Sequence, residues 1–274
     1  MKRCPECSSN KVWQLADGRL KCRGCGKRYR PASAWSASRL PNRTKHRLLE
    51  WFVLGVPVCR QRYRGVATAP ATERFYRLIR ACMAYEEHLR EPFRGELECD
   101  ETTFGGFRHG KRGWGAAGQV IVFGVVKRNG QVKAMPIAAH SRAEVISQIQ
   151  AHTREGSLYY TDEWQAYATL SMRGEHVMIR KEKGKPVGRD HINGIEGFWS
   201  DAKNRLYPYR GLPAKYFHLY LGEVCNRDNQ RDEDLKPLLL RLLKRVSRDE
   251  AEAILVQIDW GLPKKTVYYH SEKH

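Results

Sequence analysis

Long apolar runs are missing from this chain. None approaches the roughly 20 consecutive residues that a membrane span needs, so no spanning segment and no membrane partner are expected. No secretory leader is expected either, because Met1-Lys2-Arg3-Cys4 passes directly into a cysteine motif with no apolar stretch behind the charges. These absences predict a cytoplasmic, nucleoid-associated protein, in which thiols stay reduced and disulfides are not expected. Acidic residues are scarce: 30 Asp/Glu stand against 49 Lys/Arg, a net charge of +19. The composition is otherwise 41% apolar and 29% charged, which excludes the disordered class. A length of 274 residues suggests about two domains.

The positive charge is concentrated. Residues 1–95 hold 21 Lys/Arg and 7 Asp/Glu, a net of +14 out of the +19. Basic charge gathered on one part of a chain is the electrostatic footprint of phosphate binding, and it points to nucleic acid as the partner.

Cysteine is present in a pattern. Cys4-Pro5-Glu6-Cys7 and Cys22-Arg23-Gly24-Cys25 are two CxxC pairs with 14 residues between them. Four thiolates at this spacing close a tetrahedral site for structural Zn²⁺ from two knuckle turns, a zinc ribbon over residues 1–30. Cys59, Cys82, Cys99 and Cys225 are scattered and read as small buried hydrophobes.

Residues 31–42 read as a Pro/Ser/Ala linker, and the pattern becomes helical from about residue 43 to 90. Three helices with a turn at Gly55-Val56-Pro57, and with Arg60, Arg62 and Arg64 on the middle one, predict a helix-turn-helix-like DNA-binding region within 31–95. From residue 96 the rhythm changes to strands: three antiparallel strands with an Asn129-Gly130 hairpin turn, then helix, strand, helix and strand. That order is the order of an RNase H-like α/β domain, assigned to 96–235, with a helical tail over 236–274. In that fold the first and fourth strands lie side by side.

The strand and helix ends carry an ordered acidic set. Asp100 closes Glu96-Leu97-Glu98-Cys99-Asp100, Asp162 closes Leu158-Tyr159-Tyr160-Thr161-Asp162, and Glu196 lies at the opening of a helix. Hard cations take oxygen ligands, and paired Mg²⁺ (or Mn²⁺) ions for phosphodiester chemistry need carboxylates from separate elements. Asp100 is expected to bridge both ions, with Asp162 on one and Glu196 on the other. Lys203, two helical turns past Glu196, is placed to grip the phosphate of a DNA end. Glu98 shares the Asp100 face of its strand and ranks lower because it is one pleat back; Glu101 should face the other way. Asn193, one turn before Glu196, can share the site or cap the helix. Arg108, Lys111 and Arg112 in a Gly-rich stretch, and Lys181, Lys183 and Lys185 before the Glu196 helix, are two further candidate DNA-contacting loops. Glu223 and Arg227 read as a helix-stabilising i,i+4 pair.

At these residues the chain resembles the transposases of the IS1595 insertion-sequence family, which carry ISXO2-like domains. The matching segments are Asp100-Glu101-Thr102-Thr103-Phe104-Gly105-Gly106, Thr161-Asp162-Glu163-Trp164-Gln165-Ala166-Tyr167, and His191-Ile192-Asn193-Gly194-Ile195-Glu196 with Phe198-Trp199 and Lys203. Glu223 with Arg227-Asp228-Asn229-Gln230-Arg231 matches the late acidic–basic block of that family, and the zinc ribbon also fits. The resemblance implies a DDE-type enzyme that cuts element ends and joins the 3′-hydroxyl to target DNA. It also implies double-stranded DNA (terminal inverted repeats and target) as partner and a homodimer to hold two ends. The third catalytic position in this group is Glu or Asn; Glu196 is preferred over Asn193 for its spacing to Lys203. A non-catalytic regulator derived from such an element, and a nuclease without strand transfer, are the alternative expectations.

Overall fold

The fold, taken from a computed structural model, is described for residues 4–17, 19–30, 32–61, 64–105, 119–179, 188, 190–209, 211–256 and 266–267. Arg62, Arg108, Lys111, Arg112, Lys181, Lys183 and Lys185 lie outside these residues.

The N-terminal ribbon is a three-stranded antiparallel sheet of β1 (Val12–Gln14), β2 (Leu20–Cys22) and β3 (Arg28–Tyr29). Residues 31–42 are not simply a linker: α1 (Ala34–Ala37) is capped by Ser33 and seats Ala34 in the core. Next come α2 (Asn42–Val53) and α3 (Ala69–His88), long amphipathic helices as their apolar period requires. The expected middle helix is a single 3₁₀ turn, Val58–Gln61. Gly55 turns the chain at φ +70°, and Gln61 is held by Tyr76 Oη (2.8 Å) and Val56 O (3.2 Å), so the segment is fixed by its side chain rather than by helical propagation.

The central sheet follows. Strands β4 (Glu96–Phe104), β5 (Val120–Lys127) and β6 (Val132–Ile137) are antiparallel, the last two joined through Asn129 at φ +56° and Gly130. Helix α4 (Arg142–His152), capped by Ser141, leads to β7 (Leu158–Thr161). The helix expected after Glu163 is instead a 3₁₀ helix, Gln165–Met172, leading to β8 (Glu175–Met178). The sheet order is β6-β5-β4-β7-β8, with β4, β7 and β8 parallel. Helix α5 (Asn193–Leu206) covers one face, followed by the short β9 (Leu212–Pro213), α6 (Phe217–Asn229), α7 (Leu235–Arg245) and α8 (Arg248–Val256), with β10 (Thr266–Val267) pairing β9.

Three apolar clusters hold these layers. One lies between the sheet and α5 and α6 and includes Phe104, Tyr160, Trp199 and Phe217. A second, with Cys99, Phe123, Tyr159 and Tyr167, lies under α4 on the opposite face. The third joins α1, α2, α3, α7 and α8 to Leu219 of α6, so the helical region is packed onto the sheet domain. Leu239, Leu242 and Leu243 of α7 are core residues of that cluster.

Candidate active site

Asp100 does not end its strand. The β-branched and aromatic residues Thr102, Thr103 and Phe104 carry β4 on, pairing β5 as far as Phe104 with Val120. Asp162 does stand one residue past its strand, as expected. The parallel ladder pairs Glu96 with Leu158, Leu97 with Tyr159 and Glu98 with Tyr160. The ladder ends there, two residues short of Asp100 and Asp162, and Asp100 faces α5. Both aspartates are half-buried.

Helix α5 is aimed at this edge by three contacts. Its N-cap is Ile192, which has no side chain able to serve the free amides of the first turn. Glu98 serves them from the sheet: its Oε2 accepts from the Ile195 N–H at 2.9 Å. A carboxylate at a helix N-terminus is favoured by both the hydrogen bond and the helix dipole. Gly194 leaves room for it, since a Cβ there would lie 2.8 Å from Glu98 Oε2. Arg128 donates to Glu98 Oε1 at 3.0 Å, with its guanidinium 3.5 Å from the Tyr160 ring centroid. Glu98 is therefore the buried cap of α5, and Asn193 is the first helical residue rather than the cap. One turn on, Trp199 Nε1 donates to Asp100 Oδ2 at 3.1 Å. The indole lies over Gly124, the strand partner of Asp100, where a Cβ would come 2.5 Å from the ring.

The other face of α5 is exposed at Asn193, Glu196 and Lys203, while Ile195, Phe198, Trp199, Ala202 and Leu206 are buried. Glu196 thus sits in the first turn, on the helix that Glu98 and Trp199 hold against β4. Among the described residues, the only group of three or more His, Cys, Asp or Glu ligand atoms mutually within 4.8 Å is the cysteine set. At least one pair among Asp100, Asp162 and Glu196 is therefore wider. Oxygens on one Mg²⁺ at about 2.1 Å each can be at most about 4.2 Å apart, so this trio does not close around a single ion.

Beneath the sheet, Glu101 faces away from Asp100 as alternation requires. Burial, reinforced by the Asp100 and Asp162 charges and opposed by its bond to Tyr167, pushes its carboxyl up to about 8. Arg60 and Arg64, the described members of the expected DNA-reading trio, are exposed.

The late acidic–basic block contains the expected i,i+4 pair and does more than stabilise its helix. Glu223 is buried and accepts from Arg80 Nε of α3 at 2.6 Å and from Arg227 Nε at 2.8 Å. Arg227 also donates to the Val53 and Phe52 carbonyls (3.0 and 2.6 Å) at the end of α2. Asn229 pairs with both backbone groups of Val132 on edge strand β6 (2.7 and 2.9 Å) and donates to Glu87. Only the placement of an acid within an apolar helical run (Phe217-His218-Leu219-Tyr220-Leu221-Gly222-Glu223-Val224) signalled this burial.

In the ribbon, the four sulfurs converge, with Cys4 Sγ to Cys25 Sγ and Cys7 Sγ to Cys22 Sγ both at 3.5 Å. All are free thiols. Backbone amides, that of Cys25 foremost, pull the Cys22 thiol down to about 6, the condition of a thiolate ligand. The donor set fits a closed four-sulfur metal site.

Residues 92–229 match the family described as ISXO2-like transposase domain, half of the chain, and the chain belongs to that family. Membership supports a transposase role, suggests a nucleic-acid-processing enzyme and implies DNA binding. The chain is also similar to an uncharacterized transposase-like protein of Haemophilus influenzae, 29% identical over 106 residues, which cover 38% of this chain and 86% of that one.

Proposed function

We propose that the protein is a DNA transposase of the DDE type, with an RNase H-like catalytic domain, that cleaves insertion-sequence ends and joins the freed 3′-hydroxyl to target DNA. The observation that supports this reading is the parallel pairing of β4 with β7 as far as Glu98 and Tyr160, two residues short of Asp100 and Asp162, in a sheet covered by the helix bearing Glu196. The β6-β5-β4-β7-β8 order supports the RNase H-like assignment.

Asp100 would be the shared ligand of a two-metal centre, Asp162 a ligand to one ion and Glu196 to the other. Bound Mg²⁺ or Mn²⁺ supplies an activated oxygen nucleophile and neutralises charge at the phosphorus. The chain's own contribution is placement. Trp199 holds the Asp100 carboxylate through Oδ2. Lys203 stands two turns along from Glu196 on the same exposed face, where its ammonium would pair with the phosphate of the end being cut. Asn193, at the start of that face, would be a neutral donor beside Glu196. Arg60 and Arg64, with Arg62, Arg108, Lys111, Arg112, Lys181, Lys183 and Lys185, would supply sequence-independent phosphate contacts to the duplex. The cysteine cluster would hold structural Zn²⁺. A homodimer follows from the need to hold two element ends together.

Cleavage of a labelled element-end duplex with Mg²⁺ tests the assignment. Asp100→Ala, Asp162→Ala and Glu196→Gln should each lower the rate by at least about a hundredfold while duplex binding persists. Native-like cleavage by any of the three would remove that residue from the site.

A further inference from the structure

The β4–β7 ladder ends at Glu98 and Tyr160, two residues before Asp100 and Asp162 come level. Backbone pairing between these strands therefore does not itself hold the two aspartates together. The fastening lies on the opposite face of the sheet. Asp162 Oδ1 accepts from the Trp164 N–H at 3.0 Å, which shapes the turn after β7. The Trp164 ring stacks on His140, with centroids 3.9 Å apart and planes 13° from parallel, and meets the Tyr167 ring edge-on at 5.8 Å. Tyr167, fully buried, donates its hydroxyl to Glu101 Oε1 at 2.6 Å. His140 Nε2 lies 4.0 Å from the other Glu101 oxygen.

Glu101 is the residue after Asp100, and Trp164 is two residues after Asp162. The contacts form a continuous chain from one aspartate's strand to the other aspartate's turn.

We propose that Tyr167 and Glu101, with Trp164 and His140, form a bracket beneath the sheet that sets the Asp162 turn level with Asp100. They are positioning residues: they fix where Asp162 sits and touch no reacting atom. This rests on the reading of Asp100 and Asp162 as metal ligands. The bracket needs an acceptor at position 101, not a charge, because Tyr167 donates to one carboxyl oxygen.

The test is direct Mn²⁺ binding to the zinc-loaded full chain, followed by electron paramagnetic resonance, with thermal unfolding in parallel. Tyr167→Phe removes one hydroxyl and should raise the Mn²⁺ dissociation constant about tenfold in protein that unfolds cooperatively. Glu101→Gln keeps an oxygen acceptor and should bind Mn²⁺ within about twofold of native, whereas Glu101→Leu should match Tyr167→Phe. Unchanged Mn²⁺ affinity in Tyr167→Phe overturns the bracket. A Glu101→Gln protein as weak as Glu101→Leu also overturns it, by making the charge the essential feature. Asp100→Ala separates the two claims: unchanged Mn²⁺ binding there overturns the metal-site reading, and the bracket with it.

Discussion

Trp199 donates its indole N–H to Asp100 across 3.1 Å, tying helix α5 to the middle of β4. The ring passes over Gly124, directly opposite Asp100 in the antiparallel pair, at a separation that admits no Cβ. Three residues on two strands and a helix thus define how close Glu196 can come to the aspartates.

Gly124→Ala should disturb that approach. The added methyl must displace the indole, an overpacking cost of about 1–3 kcal/mol, read as a lowered denaturant midpoint. Trp199→Phe keeps the ring contact but loses the donor and should cost about 1 kcal/mol. Both should slow end cleavage; a Gly124→Ala protein of native stability would contradict the packing described.

The buried Arg80–Glu223–Arg227 group joins α3, α6 and the end of α2. Glu223→Ala leaves two guanidinium groups buried without their carboxylate and should cost about 3–5 kcal/mol. The pH dependence follows from its ionisation. Burial raises the Glu223 carboxyl, and the charges of Arg80 and Arg227 more than offset this, leaving it below its ordinary 4.5. A depressed folded value means the stabilisation is complete above about pH 4.5 and is lost as pH falls through the folded value. Urea titrations of native protein and of Glu223→Gln should therefore converge in acid; parallel curves would refute the linkage.

Much of this could be read from the chain before folding was considered. The ribbon, the strand rhythm from residue 96 and the Asn129-Gly130 turn are local patterns, and each has its expected form in the structure. Misjudged positions were those decided by tertiary contacts. Glu98 looked like a lesser metal ligand because period-two alternation gives its face but not the helix end it caps. Glu223 and Arg227 form the expected i,i+4 pair, but their spacing says nothing of Arg80, 143 residues away. The middle helix of the expected trio shrank to one 3₁₀ turn because Gly55 and the Gln61 side chain fix it from outside. The acidic set was legible as residue types, and the expected strand order already put β4 beside β7; the register of that pairing was not legible.

The cysteine cluster should carry about one zinc per chain. Atomic absorption on Cys22→Ser should find it largely absent, since a three-sulfur set lacks the closing ligand. Full zinc occupancy in that variant would show the metal to be elsewhere.

Arg60 and Arg64 are exposed beside the Gly55 turn. If they contact phosphates, each change to Ala should weaken duplex binding across sequences and reduce the salt-dependence slope by about one. Fluorescence anisotropy over a salt series reads both. An unchanged slope would remove them from the interface.

The central claim is tested most directly by strand transfer with purified protein, Mg²⁺ and a labelled element-end duplex, run beside Asp100→Ala. Joined products from the native chain, absent in the variant while duplex binding persists, are the predicted result. Tight binding by the native chain with neither cleavage nor joining under any divalent metal would contradict it.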